Sequence, residues 1–220
     1  MQRVAEPELM DDPAHAEAYA RADFSVPHER FVELFLQKLP PWCMASTLLD
    51  MGCGAADIAI RMARAIPDAY IDGIDGSAAM LTLGQRAIAE AGLASRINLQ
   101  QVMLPDTHFA RRYPIIYSNS LLHHLNNPDT LWQTLIQVSA VPSFVFIVDL
   151  MRPSSMSDVK HLVEQYAAAE SPILQQDFHA SLCAAYRIDE VQAQIARAGL
   201  SGLSCEIISD RHWCVQGIVG

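Results

Sequence analysis

Leu48-Leu49-Asp50-Met51-Gly52-Cys53-Gly54-Ala55-Ala56-Asp57-Ile58-Ala59-Ile60 is the stretch from which the fold is read. Thr47, Leu48 and Leu49 make a short run that ends at an acid, two glycines follow two residues apart, and an Ala/Ile-rich helical pattern starts at once. This predicts a strand, a tight turn and a helix. A turn from a buried strand into a helix needs positive-φ backbone and leaves no room for a Cβ where a ligand touches the chain. A ligand is therefore expected on this loop. Dinucleotide loops carry a third glycine at the helix mouth, with the pyrophosphate on the helix N-terminus; here that position is Asp57. Its carboxylate suits the helix dipole and repels a pyrophosphate, and Asp50 adds a second acid. The loop is predicted to prefer a cationic or zwitterionic ligand.

Asp50-x-Gly52-x-Gly54 resembles the first motif of class I S-adenosylmethionine-dependent methyltransferases, whose cofactor carries an ammonium and a sulfonium. That family often has a further glycine where this chain has Ala56, so slightly looser packing of helix on strand is expected there. The resemblance, which is to the small-molecule type, implies an α/β fold. It would be a three-layer α/β/α Rossmann-like sandwich on a seven-stranded, mostly parallel sheet of order 3-2-1-4-5-7-6 with an antiparallel last strand. It also implies one domain over 1–220: a helical cap (1–45), a cofactor-binding core (46–150), a helical insertion after strand five (151–187), and a closing helix and strand pair (188–220). Asp50, Gly52, Cys53, Gly54 and Asp57 would then touch the cofactor.

Length and composition bound the reading. At 220 residues the chain fits about one domain, and 51% hydrophobic with 7% aromatic residues suits an Ala/Leu/Ile-rich α/β core. No apolar run approaches the ~18 residues of a membrane span, and the first residues, Met1 to Glu8, carry acids where a signal peptide would be apolar. A cytoplasmic protein without membrane contact is expected. Fifteen Lys+Arg against 25 Asp+Glu give a net charge of −10. Such a surface raises the electrostatic cost of approaching a phosphate backbone, so nucleic acid is not an expected partner. Cys43, Cys53, Cys183, Cys205 and Cys214 are scattered, without a C-x-x-C pair, and read as small buried hydrophobes. Oligomeric state stays open, a homodimer included.

Along the chain, Asp12-Pro13 starts a helix to Arg21, Ser25-Val26-Pro27 reads as a break, and a second helix runs from His28 to Leu39 with an apolar stripe of Phe31, Leu34, Phe35 and Leu39. In the family such a segment covers the cofactor, which implies Tyr19 against the cofactor and Phe24 and His28 against the substrate; plain surface packing is the alternative. Asp75, 21 residues after Gly54, ends the second strand and can accept hydrogen bonds from two ribose hydroxyls. Ser77 is a helix N-cap candidate, and the resemblance implies Gly76 and Met80 against ribose and adenine. Asp72 is expected to face solvent. After the third strand, Val102-Met103-Leu104 stand where many family members have a Gly-Asp pair. Apolar contact with adenine is expected there, with Asp106 as a substitute acceptor.

The fourth strand, from Ile115 to Ser120, runs into Leu121-Leu122-His123-His124-Leu125, which resembles the strand-end motif of small-molecule methyltransferases. Ligands of open α/β sheets sit at the carboxyl ends of strands beside the topological switch point. Ser118, Asn119, Ser120 and His123 are therefore expected to face cofactor and substrate, and His124 to be packed or capping. The fifth strand, Phe144 to Leu150, is apolar as for a strand buried on both faces. Met151 and Arg152 leave it at the same sheet edge. A helical insertion from Ser157 to Ala185 follows, carrying Tyr166, Asp177, His179 and Ser181, so Met151, Arg152 and Tyr166 are expected at the substrate. A last helix from Glu190 ends at Gly199 before two closing strands.

The resemblance implies methyl transfer from S-adenosylmethionine to a small-molecule acceptor by in-line displacement at the sulfonium, with S-adenosylhomocysteine as product. The donor is already activated, so the protein's task is to align the reacting atoms and exclude water. Where a proton must leave the acceptor, His123, Asp149, His179 and His28 are the candidate bases in that order. Asp149 alone is too little for a carboxylate metal site, so no metal is expected. The alternatives are a non-catalytic S-adenosylmethionine/S-adenosylhomocysteine-binding protein and an NAD(P)-dependent oxidoreductase, the latter disfavoured by Asp57 and the closing strand pair.

Overall fold

The computed structural model describes residues 1–6, 13–43, 47–105 and 111–220. The apolar run before Asp50 forms β1 (Thr47–Met51), the turn follows it, and α3 (Asp57–Ala65) starts directly after. Two further β-α units give β2 (Tyr70–Asp75), α4 (Ala78–Glu90) and β3 (Ile97–Gln101). Then come β4 (Tyr113–Asn119), α5 (Asp129–Val138) and β5 (Ser139–Leu150). The remaining elements are α6 (Met156–Ala167), α7 (Pro172–Ala184), α8 (Ile188–Arg197), β6 (Leu203–Ile207) and β7 (His212–Val219). Ahead of β1 lie α1 (Pro13–Arg21) and α2 (Ser25–Lys38).

The strands form one sheet of order β3-β2-β1-β4-β5-β7-β6, parallel through β5, with β7 antiparallel to both its neighbours. Strand order reverses between β1 and β4, which leaves a crevice at their carboxyl ends. Both faces of the sheet are covered. On one, Phe31 and Phe35 of α2 stand edge-on to Phe146 with ring centroids 5.2 and 5.5 Å away, and α3 and α4 extend this layer. On the other, α5 and α8 pack over β4, β5 and β7 around Trp132 and Trp213. Each indole is buried whole because its N–H has a partner: Trp132 donates to Gln194 Oε1 at 3.0 Å and Trp213 to the Tyr186 carbonyl at 3.2 Å.

Four local expectations change. The second helix starts at Ser25, because Pro27 falls in its first turn, where no amide hydrogen is needed. The insertion is two helices, separated where Ser171 caps the one that begins at Pro172. Ala56 is fully buried and left-handed at φ 66, so the missing glycine appears as backbone strain and not as loose packing. Asp72 does not face solvent: it lies under Tyr113, whose hydroxyl donates to it at 2.9 Å. Alternation misleads there because a parallel strand is covered on both faces. Among the described residues, no helix is long and apolar enough to cross a membrane.

Candidate functional site

A cavity of about 1130 Å³ opens at the carboxyl ends of the parallel strands. Its first wall is the turn after β1. Gly52 and Gly54 are left-handed, at φ 74 and 51, and a Cβ on Gly52 would stand 2.8 Å from Leu121 Cδ1. The amides of Gly52 and Cys53 both donate to the Ile74 carbonyl, at 2.8 and 3.0 Å, which ties the turn to β2. Asp75 completes the clamp, accepting from Gly54 N at 2.9 Å and Ser77 N at 2.8 Å. Ser77 caps α4 as expected.

The two acids that bracket this turn differ. Asp50 is buried with no hydrogen bond to Oδ2, and burial pushes its carboxyl up to about 8. Burial thus opposes the negative charge expected at Asp50, while the Tyr117 hydroxyl beside it works the other way. Burial also works to raise the Asp57 carboxyl, but hydrogen bonds from His28 and Arg61 outweigh it and leave it below the ordinary range. His28 Nδ1 stands 2.5 Å and Arg61 Nε 2.8 Å from Asp57 Oδ2. With the Arg61 guanidinium on Asp57, its repulsion of a diphosphate is weaker than the sequence suggested.

Around this wall the cavity gathers Gly76, Met80, Val102, Met103 and Leu104 from the β2 and β3 ends, and Asn119 and Ser120 from β4. Ser120 is non-glycine and left-handed at φ 57, strain of the kind that collects at functional sites. Tyr19, Phe24 and His28 reach in from α1 and α2 as a ladder of rings, 4.7 and 5.3 Å between successive centroids. Burial pushes the Tyr19 hydroxyl up to about 12. Tyr166 of α6 lines the far side, its hydroxyl donating to Asp210 at 2.6 Å. Asp106 lies outside the described residues.

Five expected site residues do not line the cavity. Ser118 is buried in β4 with Oγ donating to the Met51 carbonyl at 2.7 Å, because successive strand residues point to opposite faces. Met151 bridges to Tyr186 beneath the insertion. Arg152 is buried and spent on the Ala185 carbonyl at 2.8 Å and Glu190 at 2.6 Å. His179 is half-buried on α7, 4.0 Å from Cys183 Sγ, and outside the cavity lining. Asp149 is wholly buried behind His123.

His123 does line the cavity, beside His124. Asp149 accepts from the Leu122 and Leu150 amides, both at 2.6 Å, and from His123 Nδ1 at 2.5 Å. Burial raises the Asp149 carboxyl, but the charge and hydrogen bond of His123 carry it below the usual range. Burial works to lower His123, and Asp149 and Glu6 more than offset it, so the imidazole titrates above its ordinary value.

Glu6, which stands behind the two histidines and does not itself line the cavity, is the neighbour of His123 that sequence reasoning missed. Its Oε1 stands 3.5 Å from His123 Nε2 and 3.2 Å from His124 Nδ1, and Oε2 accepts from Ser181 Oγ at 3.2 Å. It arrives there on an extended stretch tied down by Arg3, which donates to the His123 and Leu125 carbonyls at 2.9 and 3.1 Å, and by the Val4 amide on the Cys183 carbonyl at 3.0 Å. No local pattern in residues 1–6 signals this placement. Burial raises the Glu6 carboxyl.

Residues 48–141 match a family described as a methyltransferase domain, a span that holds the glycine turn, Asp75 and both histidines but not Glu6 or Tyr166. A ribosomal protein uL3 glutamine methyltransferase of Bordetella pertussis is 35% identical over 98 residues, covering 43% of this chain and 33% of that protein. An uncharacterized methyltransferase of Mycobacterium tuberculosis is 28% identical over 121 residues, 54% of this chain and 58% of the relative. The chain thus spans a third to just over half of these relatives' lengths. Among solved structures, a SAM-dependent methyltransferase from Aquifex aeolicus superposes with a TM-score of 0.66 at 15% identity, over 95% of this chain and 99% of that one. The plantazolicin methyltransferase BpumL, solved with SAH and a desmethyl analog, gives 0.67 at 14% identity, over 93% and 90%. These two likenesses are likenesses of fold.

Proposed function

We propose that this chain, built on a class I methyltransferase domain, moves a methyl group from S-adenosylmethionine to a small-molecule acceptor held in the same cavity. The observation that carries this is the left-handed glycine turn at the switch point, clamped to Asp75 and facing His123 across one continuous space. The residues fit such a nucleoside: Asp50 Oδ2 is a buried acceptor without a hydrogen bond, suited to an ammonium, and Gly54 leaves the wall open where a Cβ would meet Met80 Cε at 3.1 Å. S-adenosylmethionine supplies a methyl group already activated on a positive sulfur, so the chain needs no covalent nucleophile.

The chain's own tasks are to bind, orient and keep out water. Asp75 takes the ribose hydroxyls, Gly76, Met80, Val102, Met103 and Leu104 flank the nucleoside, and Cys53, Tyr19, Asn119 and Ser120 enclose the methionine end. Phe24, His28 and Tyr166 face the acceptor. A drug-sized pocket is roughly 300–1,000 Å³, so about 1130 Å³ accommodates a nucleoside and a small acceptor together. His123 is the polar group on the acceptor side that handles its proton, and Asp149 positions that ring without touching the acceptor. The cap of residues 1–45 and the insertion of 151–187 select the acceptor. The unpaired thiols of Cys53, Cys183, Cys205 and Cys214 suit a reducing compartment such as the cytoplasm.

Thermal shift and calorimetry with S-adenosylhomocysteine test the reading. Asp75→Ala is expected to weaken it about 10- to 150-fold, the value of charge-assisted hydrogen bonds of about 1.5–3 kcal/mol. His123→Ala should keep that affinity and lose formation of acceptors heavier by one CH2 in mass spectra. Stabilisation by NADH with none by S-adenosylhomocysteine, or unchanged affinity in Asp75→Ala, overturns the proposal.

A further inference from the structure

We propose that Glu6, His123 and His124 form a binding site for a divalent transition-metal ion at the acceptor end of the cavity. One ligand atom from each, Glu6 Oε1, His123 Nε2 and His124 Nδ1, lie within 4.8 Å of one another. A tetrahedral ion with bonds of about 2.0–2.1 Å sets its ligand atoms roughly 3.3 Å apart. The two separations measured from Glu6 Oε1, 3.2 and 3.5 Å, bracket that edge. The Glu6 side chain is 9% exposed, and Oε1 makes no hydrogen bond among the described residues. A buried carboxylate oxygen left in that state calls for a cation or a donor.

The surroundings are those of a built site. A metal-binding histidine donates its other ring nitrogen to a carboxylate, which fixes the tautomer and raises ligand basicity. His123 meets that condition through Asp149, itself held by the Leu122 and Leu150 amides. Ser181 plays the same part for Glu6 by donating to Oε2. Glu6 and Asp149 together carry two negative charges, which balance a dication with both imidazoles neutral. Two nitrogen ligands and one carboxylate suit zinc, iron(II), cobalt or nickel better than magnesium or calcium. Arg3, the cation beside the cluster, is engaged by the carbonyls of His123, Leu125 and Ala184.

Both histidines line the cavity, so the open coordination positions face the acceptor. The role that follows rests on the function proposed above; binding of the ion does not. A hydroxyl acceptor coordinated there ionises, its proton leaving to solvent. The oxygen lone pair then forms a bond to the methyl carbon as the carbon–sulfur bond breaks, its electron pair staying on sulfur. The proton-handling role of His123 passes to the ion, and the acceptor class becomes an alcohol or phenol.

The test loads the chelator-stripped full chain with cobalt(II), reading ligand-field absorption in visible light and metal content after dialysis. One ion per chain, displaced by zinc, is expected. Glu6→Gln and His124→Ala should each lower affinity at least 100-fold, and Asp149→Asn about 10- to 100-fold at unchanged stoichiometry. Thermal stabilisation by S-adenosylhomocysteine, retained in each variant, reports intact folding. Should one variant fail to fold, the others carry the comparison. No cobalt bound at micromolar concentration, or equal binding by folded Glu6→Gln and His124→Ala, overturns the site while leaving the nucleoside reading intact. Loss of the S-adenosylhomocysteine response in the unsubstituted protein overturns the nucleoside reading alone.

Discussion

The two ends of the cavity are made from different materials. At the end formed by β1, β2 and α3, backbone does the work: two left-handed glycines, amides on the Ile74 carbonyl, and one carboxylate gripping neighbouring amides. At the other end, side chains from remote segments converge, Glu6 standing 3.5 and 3.2 Å from the His123 and His124 rings and Asp149 2.5 Å from His123 on its other side. Backbone geometry fixes a constant ligand, and side chains are what a lineage can exchange to change an acceptor. The contrast predicts different failures on mutation at each end.

The largest effect is expected at the side-chain end. Asp149→Ala removes a wholly buried partner and strands the His123 ring and two amides, which should lower unfolding free energy by about 3–5 kcal/mol in urea titrations. A loss under about 1 kcal/mol would show that His123 is held by something else. Gly52→Ala comes next. Its new Cβ meets Leu121 at 2.8 Å in a left-handed residue, and roughly 1–3 kcal/mol of stability should go together with measurable S-adenosylhomocysteine affinity. Retained affinity would mean that the turn is softer than backbone construction implies.

Asp50 gives the most diagnostic effect, read as a pH dependence and not as a substitution. Its folded carboxyl, pushed up to about 8, lies above its unfolded value, so its favourable contribution is complete at acid pH and lost as pH rises through about 8. The ligand-free melting temperature should therefore fall with rising pH across that window. Saturating S-adenosylhomocysteine, whose ammonium favours the carboxylate, should flatten the fall and release protons at pH 7. Calorimetry in buffers of different ionisation enthalpy measures this, and proton uptake in place of release would break the assignment.

Where structure follows from neighbours in sequence, the chain announced it. The glycine turn and Asp75, 21 residues on, lie in repeated β-α units and the antiparallel ending in a strand hairpin, where periodicity and turn residues report local geometry. Asp72 misled because alternation describes a sheet with one wet face. Met151 and Arg152 misled because proximity to a strand end does not say which way the chain turns afterwards. Glu6 was invisible, since its position depends on Arg3 and Val4 meeting residues far downstream. Ala56 was noticed, but its consequence was assigned to packing, whereas its φ of 66 places the penalty in the backbone.

The tether of Arg3 also orders events in time. Glu6 meets Ser181 across 175 residues, whereas Gly54 meets Asp75 across 21. That ratio is about eightfold, three doublings of loop length, or roughly 2 kcal/mol of extra closure entropy. The glycine-turn half is expected to assemble first and open last, with the Val4 amide exchanging its hydrogen well before that of Cys53. Equal exchange rates at these two amides would show that the molecule closes as one unit.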